Sequence, residues 1–153
     1  MVFSFTYTTT TPDQLSADEQ ELCAKALEAS EGSYAPYSDY HVGAAIRLSD
    51  GSVVMGANQE NASYPCGTCA ERTALHYAQS AYPTESIEAI AIAAEPQPSD
   101  TTTAPPYPCG LCRQTLVEAE RRQGAPIKVI VITSEKALVF PSASCLLPFA
   151  FNA

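Results

Sequence analysis

Three cysteines and one glutamate carry the chemistry in this sequence. Cys69-Ala70-Glu71 sets a carboxylate two residues beyond a thiol, and Pro108-Cys109-Gly110-Leu111-Cys112 sets two thiols three positions apart. Both groups stand where a loop hands over to a helix-prone segment. At a helix start the free N–H groups and the positive end of the dipole favour thiolate over thiol. Thiolate is the form that zinc binds. The gap between Cys109 and Cys112 lets both sulfurs turn toward one ion, and Cys69 adds a third from the neighbouring helix. Three protein ligands leave the fourth tetrahedral position to water, the pattern of a catalytic zinc. Glu71 then stands beside that water as a proton carrier without binding the metal itself.

Two other readings of these cysteines stay open on the residues alone. Cys66-Gly67-Thr68-Cys69 is itself a C-x2-C, so four sulfurs could close a structural zinc site. The two pairs are 39 residues apart, against ~15–20 in common structural sites. Cys109 and Cys112 could instead form a redox dithiol, which leaves Cys69 and Glu71 unexplained. Cys66 is read as a buried thiol near the site. His76 lies about 10.5 Å along the helix from Cys69, too far to ligate, and is read as a packing residue. His41 is read as solvent-facing. Arg72 and Arg113 are candidates to offset thiolate charge through hydrogen bonds to sulfur.

The elements that must position these groups follow from periodicity. A helix runs from about Asp13 or Ser16, with Leu15, Leu22, Ala26 and Leu27 at helical spacing, and ends near Gly32 in a left-handed stop. Val42–Leu48 and Val53–Gly56 read as two strands joined at Asp50-Gly51. Helix propensity is high from Cys69 to Ser80 and again from Cys109 to Gln123. Ile87–Ala94 and Lys128–Thr133 are buried-strand runs, and Leu138–Phe140 is a short edge strand. Between Glu95 and Tyr107 lies a loop rich in Thr with four prolines. The order α-β-β-α-β-α-β-β implies an α/β fold with a mixed five-stranded sheet and helices on both faces. Residues 1–12 read as a flexible N-terminal arm, and 13–153 as a single domain.

Bulk properties narrow the partners. The 153 residues include 17 acidic and 8 basic side chains, a net charge of −9. Phosphate neutralisation needs clustered Lys and Arg, so no nucleic acid partner is expected. A small neutral ligand suits this surface. No apolar run reaches the ~20 residues of a bilayer span, and the first residues lack the pattern of a signal peptide. The expected compartment is the reducing cytoplasm, where cysteines serve as thiols or metal ligands.

The chain resembles the small, free-nucleoside cytidine deaminases. The matching pieces, in order, are Tyr34-Ala35-Pro36-Tyr37-Ser38, Val42-Gly43-Ala44-Ala45, Asn58 through Tyr64, Cys69 through Ala74, Pro108 through Gln114 and Leu146-Leu147-Pro148. A Cys₃ zinc site, a non-ligand Glu and a P-C-x-x-C element form the signature of zinc deaminases as a class. The resemblance implies a three-layer α-β-α catalytic domain that holds one Zn²⁺ per chain on Cys69, Cys109 and Cys112. It implies hydrolysis of cytidine and 2′-deoxycytidine to uridine and 2′-deoxyuridine with release of ammonia, a pyrimidine-salvage reaction. Zinc-bound hydroxide attacks and Glu71 shuttles the protons. Asn58 and Glu60 match residues that bind the ribose hydroxyls, Tyr40 stands against the base, and Ala70 is a substrate contact. Tyr64 and Phe151 match residues that reach a neighbouring subunit's pocket, which implies a homotetramer.

Three departures from the family's pattern are expected to shape the pocket. Tyr40 replaces the usual Phe, the loop before Pro108 is longer, and Cys145 stands where a Glu commonly precedes Leu-Leu-Pro. A modified aminopyrimidine nucleoside, such as a nucleoside antibiotic, is the alternative substrate. A zinc-stabilised binding module without catalysis is the alternative outside enzymes.

Overall fold

The structure, a computed structural model, describes residues 2–95 and 104–152. Most of the Pro- and Thr-rich loop expected before Pro108 lies outside the described residues. The elements in chain order are β1 (Thr8–Thr10), α1 (Ala17–Ala29), β2 (His41–Leu48), β3 (Val53–Ala57), α2 (Ala70–Ala81), β4 (Ile87–Glu95), α3 (Gly110–Gln123), β5 (Lys128–Ile132) and β6 (Ala137–Phe140). Short 3₁₀ turns join several of them.

The first helix starts on a capping box. Ser16 Oγ accepts from Glu19 N–H, and the Glu19 carboxylate accepts from Ser16 N–H at 3.1 Å, which satisfies two otherwise orphaned donors. Its end differs from expectation. Gly32 does not take a left-handed conformation. Instead the chain tightens into a 3₁₀ turn over Ser30–Gly32, where Ser30 Oγ donates to Leu27 O at 2.7 Å and Ser33 N–H to Ser30 O. Shorter-range bonds take up the last carbonyls, so no left-handed glycine is needed there. At the hairpin the expected turn does occur. Gly51 has φ +85°, and Asp50 Oδ1 accepts from Ser52 N–H at 2.9 Å.

Six strands form one mixed sheet in the order β1-β6-β5-β4-β2-β3, with β4 and β5 parallel and every other pair antiparallel. The sixth strand comes from the segment read as an arm, where Thr8, Thr9 and Thr10 pair with Val139, Leu138 and Ala137. Threonine is β-branched and suits an extended edge. The remaining five strands are those expected.

Side chains alternate across this sheet with period two. On one face Ala45, Ala89, Ala91, Ala93, Ile130 and Ile132 meet α1. On the other Ile46, Leu48, Ile90, Ile92, Val129 and Val131 meet α2 and α3. The result is three layers, α-β-α.

Two glycines set how closely the layers approach. A Cβ on Gly43 would lie 2.0 Å from the Ala26 carbonyl oxygen, so α1 rests directly on β2. A Cβ on Gly56 would lie 2.5 Å from Ala74 N and 2.9 Å from Ala70 O. The first turns of α2 therefore sit against β3 backbone.

Topology brings the two cysteine groups together. Because β2 runs antiparallel to both β3 and β4, those two strands point the same way, as do β4 and β5. The segments β3-α2-β4 and β4-α3-β5 are thus two successive parallel crossovers, with both helices on one face. Each helix must start at the edge where its preceding strand ends. The N-termini of α2 and α3 meet there. Among the described residues no helix is long and apolar enough to cross a membrane.

Candidate active site

Cys69 is the N-cap of α2 and Cys109 the N-cap of α3, both with extended backbone, and Cys112 lies in the first turn of α3. Their sulfurs converge. Cys69 Sγ is 3.7 Å from Cys109 Sγ, Cys109 Sγ is 3.5 Å from Cys112 Sγ, and all three lie within 4.8 Å of one another. A tetrahedral zinc with Zn–S bonds of ~2.3 Å holds its sulfurs ~3.8 Å apart. The donor set fits that ion in both chemistry and spacing.

Cys66 is not part of the group. It is exposed in a 3₁₀ turn rather than buried as expected, because Gly67 and Thr68 lead the chain inward only after it. His76 is exposed on α2 rather than packed. His41 Nε2 lies 3.4 Å from Asp39.

The Cys69 thiol is held well below its ordinary value. A hydrogen bond from Cys112 and the guanidinium of Arg72, with Nη2 3.9 Å from Cys69 Sγ, bring it down to about 5. Its shared proton and its burial push Cys112 upward. Arg113 does not turn to sulfur. It donates from Nε to Pro108 O at 2.8 Å and from Nη1 to Leu146 O at 3.1 Å. This clamp holds the residue before Cys109 against the C-terminal segment.

Glu71 is only 4% exposed, in the first turn of α2 beside Cys69. Burial pushes its carboxyl up to about 7, partly offset by its own N–H and the Cys112 thiol. Ala70 next to it is fully buried. Burial and then the charge of Glu71 raise the phenol of Tyr40.

A laced loop system borders this centre. Asn58 Oδ1 accepts from Val42 N–H at 2.9 Å and from Ser33 Oγ, while its Nδ2 donates to Tyr40 O at 2.8 Å. Glu60 accepts from Tyr37 N–H at 2.8 Å and from Ser38 N–H and Oγ, and these bonds, led by the Ser38 hydroxyl, hold its carboxyl low. Gln59 bridges Tyr34 on one side and Thr68 on the other. Thus both residues expected at a ribose also tie Tyr40 and the Tyr34–Ser38 loop in place. Tyr64 and Phe151 are exposed, and Phe151 O accepts from Gln114 Nε2 at 3.1 Å.

Sequence reasoning passed over Glu120. It follows Cys112 and Leu116 at steps of four, on the inward stripe of α3, and is 8% exposed. A carboxylate at a core-facing period was the available signal.

The cytidine and deoxycytidylate deaminase zinc-binding region matches residues 16–125. A cytidine deaminase from Halalkalibacterium halodurans is 43% identical over 136 residues, covering 89% of this chain and 96% of that relative. A probable cytidine deaminase from Dictyostelium discoideum is 33% identical over 90% of this chain and 87% of its own length. The crystal structure of cytidine deaminase from Burkholderia pseudomallei superposes with a TM-score of 0.72 at 39% identity, over 86% of this chain and 97% of that one.

Proposed function

Because this chain belongs to the cytidine and deoxycytidylate deaminase family, we propose that it hydrolyses the exocyclic amine of cytidine and 2′-deoxycytidine, releasing ammonia and the uridine product in pyrimidine salvage. The observation that carries this reading is the convergence of three sulfurs and one buried carboxyl at the adjoining starts of α2 and α3.

Cys69, Cys109 and Cys112 hold one zinc per chain. Zinc supplies Lewis-acid chemistry that makes water a usable nucleophile near neutral pH. Three thiolates outweigh the two charges of the ion, and the Arg72 guanidinium beside Cys69 offsets the excess. Glu71 takes the proton of the attacking water and delivers it to N3 of the base. It then takes the second proton from the hydroxyl now bonded to C4 and passes it to the departing amine. Its seat in the core keeps the protonated form within reach, as a group that both accepts and donates requires.

Tyr40 lines the base side, Ala70 contacts the substrate from the α2 start, and Asn58 and Glu60 bind the ribose hydroxyls. Glu60, held ionised by Ser38 and Tyr37, suits a hydroxyl donor. The chain acts as a homotetramer in which Tyr64 and Phe151, both exposed, complete a neighbour's pocket. Six free thiols support residence in the reducing cytoplasm. The hydroxyl that Tyr40 carries in place of the family's usual Phe favours a second reading, a modified aminopyrimidine nucleoside able to bond that group.

The test is ammonia release from a panel of aminopyrimidine nucleosides, with zinc measured on the same sample. Cytidine and 2′-deoxycytidine are expected to lead the panel. Full zinc content without ammonia from any nucleoside would mark a zinc-stabilised binding module instead.

A further inference from the structure

The two ends of the described chain share a composition, uncharged and rich in phenylalanine, and all five phenylalanines lie in them. From Val2 to Pro12, and again from Ala137 to Asn152, no side chain carries a charge, although the whole carries 17 acidic and 8 basic residues. Aromatic rings collect in those same two segments. Tyr7 stacks on Phe140 of β6 with centroids 5.3 Å apart. Phe5 follows at 6.5 Å from Tyr7, Phe3 at 6.4 Å from Phe5, and Phe149 of the C-terminal segment at 6.0 Å from Phe3. Alternate positions 3, 5 and 7 place their side chains on one side of an extended chain. The pairing of Thr8–Thr10 with β6 anchors that row.

Only Phe140 at the foot of this ladder is buried. Phe3 is 55% exposed, Phe5 44%, Tyr7 52% and Phe149 94%. Val2 and Phe151 are exposed as well. Ring-to-ring contact makes this one contiguous surface rather than scattered side chains. A contiguous exposed apolar surface, unlike apolar side chains scattered singly, marks an interaction site.

Charge selects the occupant. An anionic membrane surface is met by Lys and Arg flanking the apolar side chains, and neither segment has one. Two copies of a chain with net charge −9 repel wherever acidic faces meet. A surface free of charge lets two copies meet without setting acidic side chains against one another.

We infer that the aromatic ladder of Phe3, Phe5, Tyr7 and Phe149 is a self-association surface, covered by a second copy of this chain. The inference deepens the oligomer reading above and rests on it. The free outer edge of β1 lies beside the ladder, so backbone pairing between copies can accompany ring burial.

The chain has no tryptophan, so Phe3→Trp installs a single reporter in the ladder. Its emission is recorded alongside sedimentation velocity over a wide range of protein concentration, with and without phosphatidylserine vesicles. The expected result is blue-shifted emission in the assembled protein and a return to solvent-like emission as dilution dissociates it. Phe3→Ser/Phe5→Ser is expected to halve the assembled mass or to weaken association at least tenfold, with unchanged circular dichroism. Solvent-like Trp emission in an assembled protein overturns the inference, as does an unchanged association constant in the double serine variant. A blue shift only with vesicles overturns it in favour of a lipid surface. A wild-type chain that stays monomeric at every concentration overturns this inference and the oligomer reading together. An assembled wild type with unchanged variants overturns this one alone.

Discussion

Two glutamates are buried among the described residues, and the fold treats them oppositely. Glu120, near the end of α3, is saturated with donors. Its carboxylate accepts from Ile127 N–H at 2.8 Å, Ala143 N–H at 2.8 Å, Ser142 Oγ at 2.7 Å and both N–H and Oγ of Ser144. Burial alone would raise its carboxyl, yet these bonds, led by Ile127, hold it below the ordinary 4.5. Glu71, at the start of α2, is more deeply buried and draws on its own N–H and one thiol, so burial prevails and its carboxyl rises to about 7. A carboxylate that fastens chain segments is given every donor it can use. One left short of donors rises toward neutral pH, which suits the proton-carrying role proposed for Glu71.

The comparison breaks most sharply at Glu71. Glu71→Gln is expected to keep full zinc and lose about 10²–10⁴ in turnover or more, as read by ammonia release beside metal analysis. Substantial turnover in that variant would remove Glu71 from the proton path. Arg72→Ala removes the cation beside Cys69, and its expected cost is about 10–100-fold in zinc affinity or activity, measured by competition with a chelator. No change in either quantity would mean that Arg72 is not needed to offset the sulfurs.

Glu120→Gln sharpens the other side. It leaves activity per folded molecule near wild type and lowers stability by about 1–3 kcal/mol, read from denaturant titration. The pH dependence has a definite sign. A carboxyl whose folded value lies below 4.5 stabilises fully above 4.5, and that contribution fades as the pH drops through the lowered folded value. The gap between wild type and Glu120→Gln is therefore wide at neutral pH and narrows in acid. A gap that widened in acid would contradict the assignment. The smallest effect is expected from Cys66→Ser, which should still bind one zinc per chain, since Cys66 lies outside the sulfur group.

Much of the site was legible because its parts are local. The Cys109–Cys112 spacing and the α3 start form one short stretch, and Cys69, Glu71 and the α2 start form another. The five core strands were legible for the same reason, since alternation and buried-strand runs are short-range patterns. What escaped depends on distant partners. Glu120 shows only a core-facing period in the sequence, and its partners Ser142, Ala143 and Ser144 arrive from beyond β6. The sequence offers Asn58 for a ribose, and only the fold adds that its amide also holds Val42 N–H and Tyr40 O. Thr8–Thr10 reads as a loose arm until β6 offers an edge, and Cys66 reads as a buried thiol until its turn faces outward.

By itself, then, the order of residues determined which atoms could bind a metal and carry a proton, because that capacity belongs to side-chain type and spacing along a helix start. The tertiary structure decided that Cys69 meets Cys109 across 39 intervening residues, that Cys66 does not join them, and which of two buried carboxyls keeps a free hand. Those outcomes turn on two successive parallel crossovers starting at one sheet edge, and on how many donors each crossover leaves within reach, neither of which is written in any single stretch of chain.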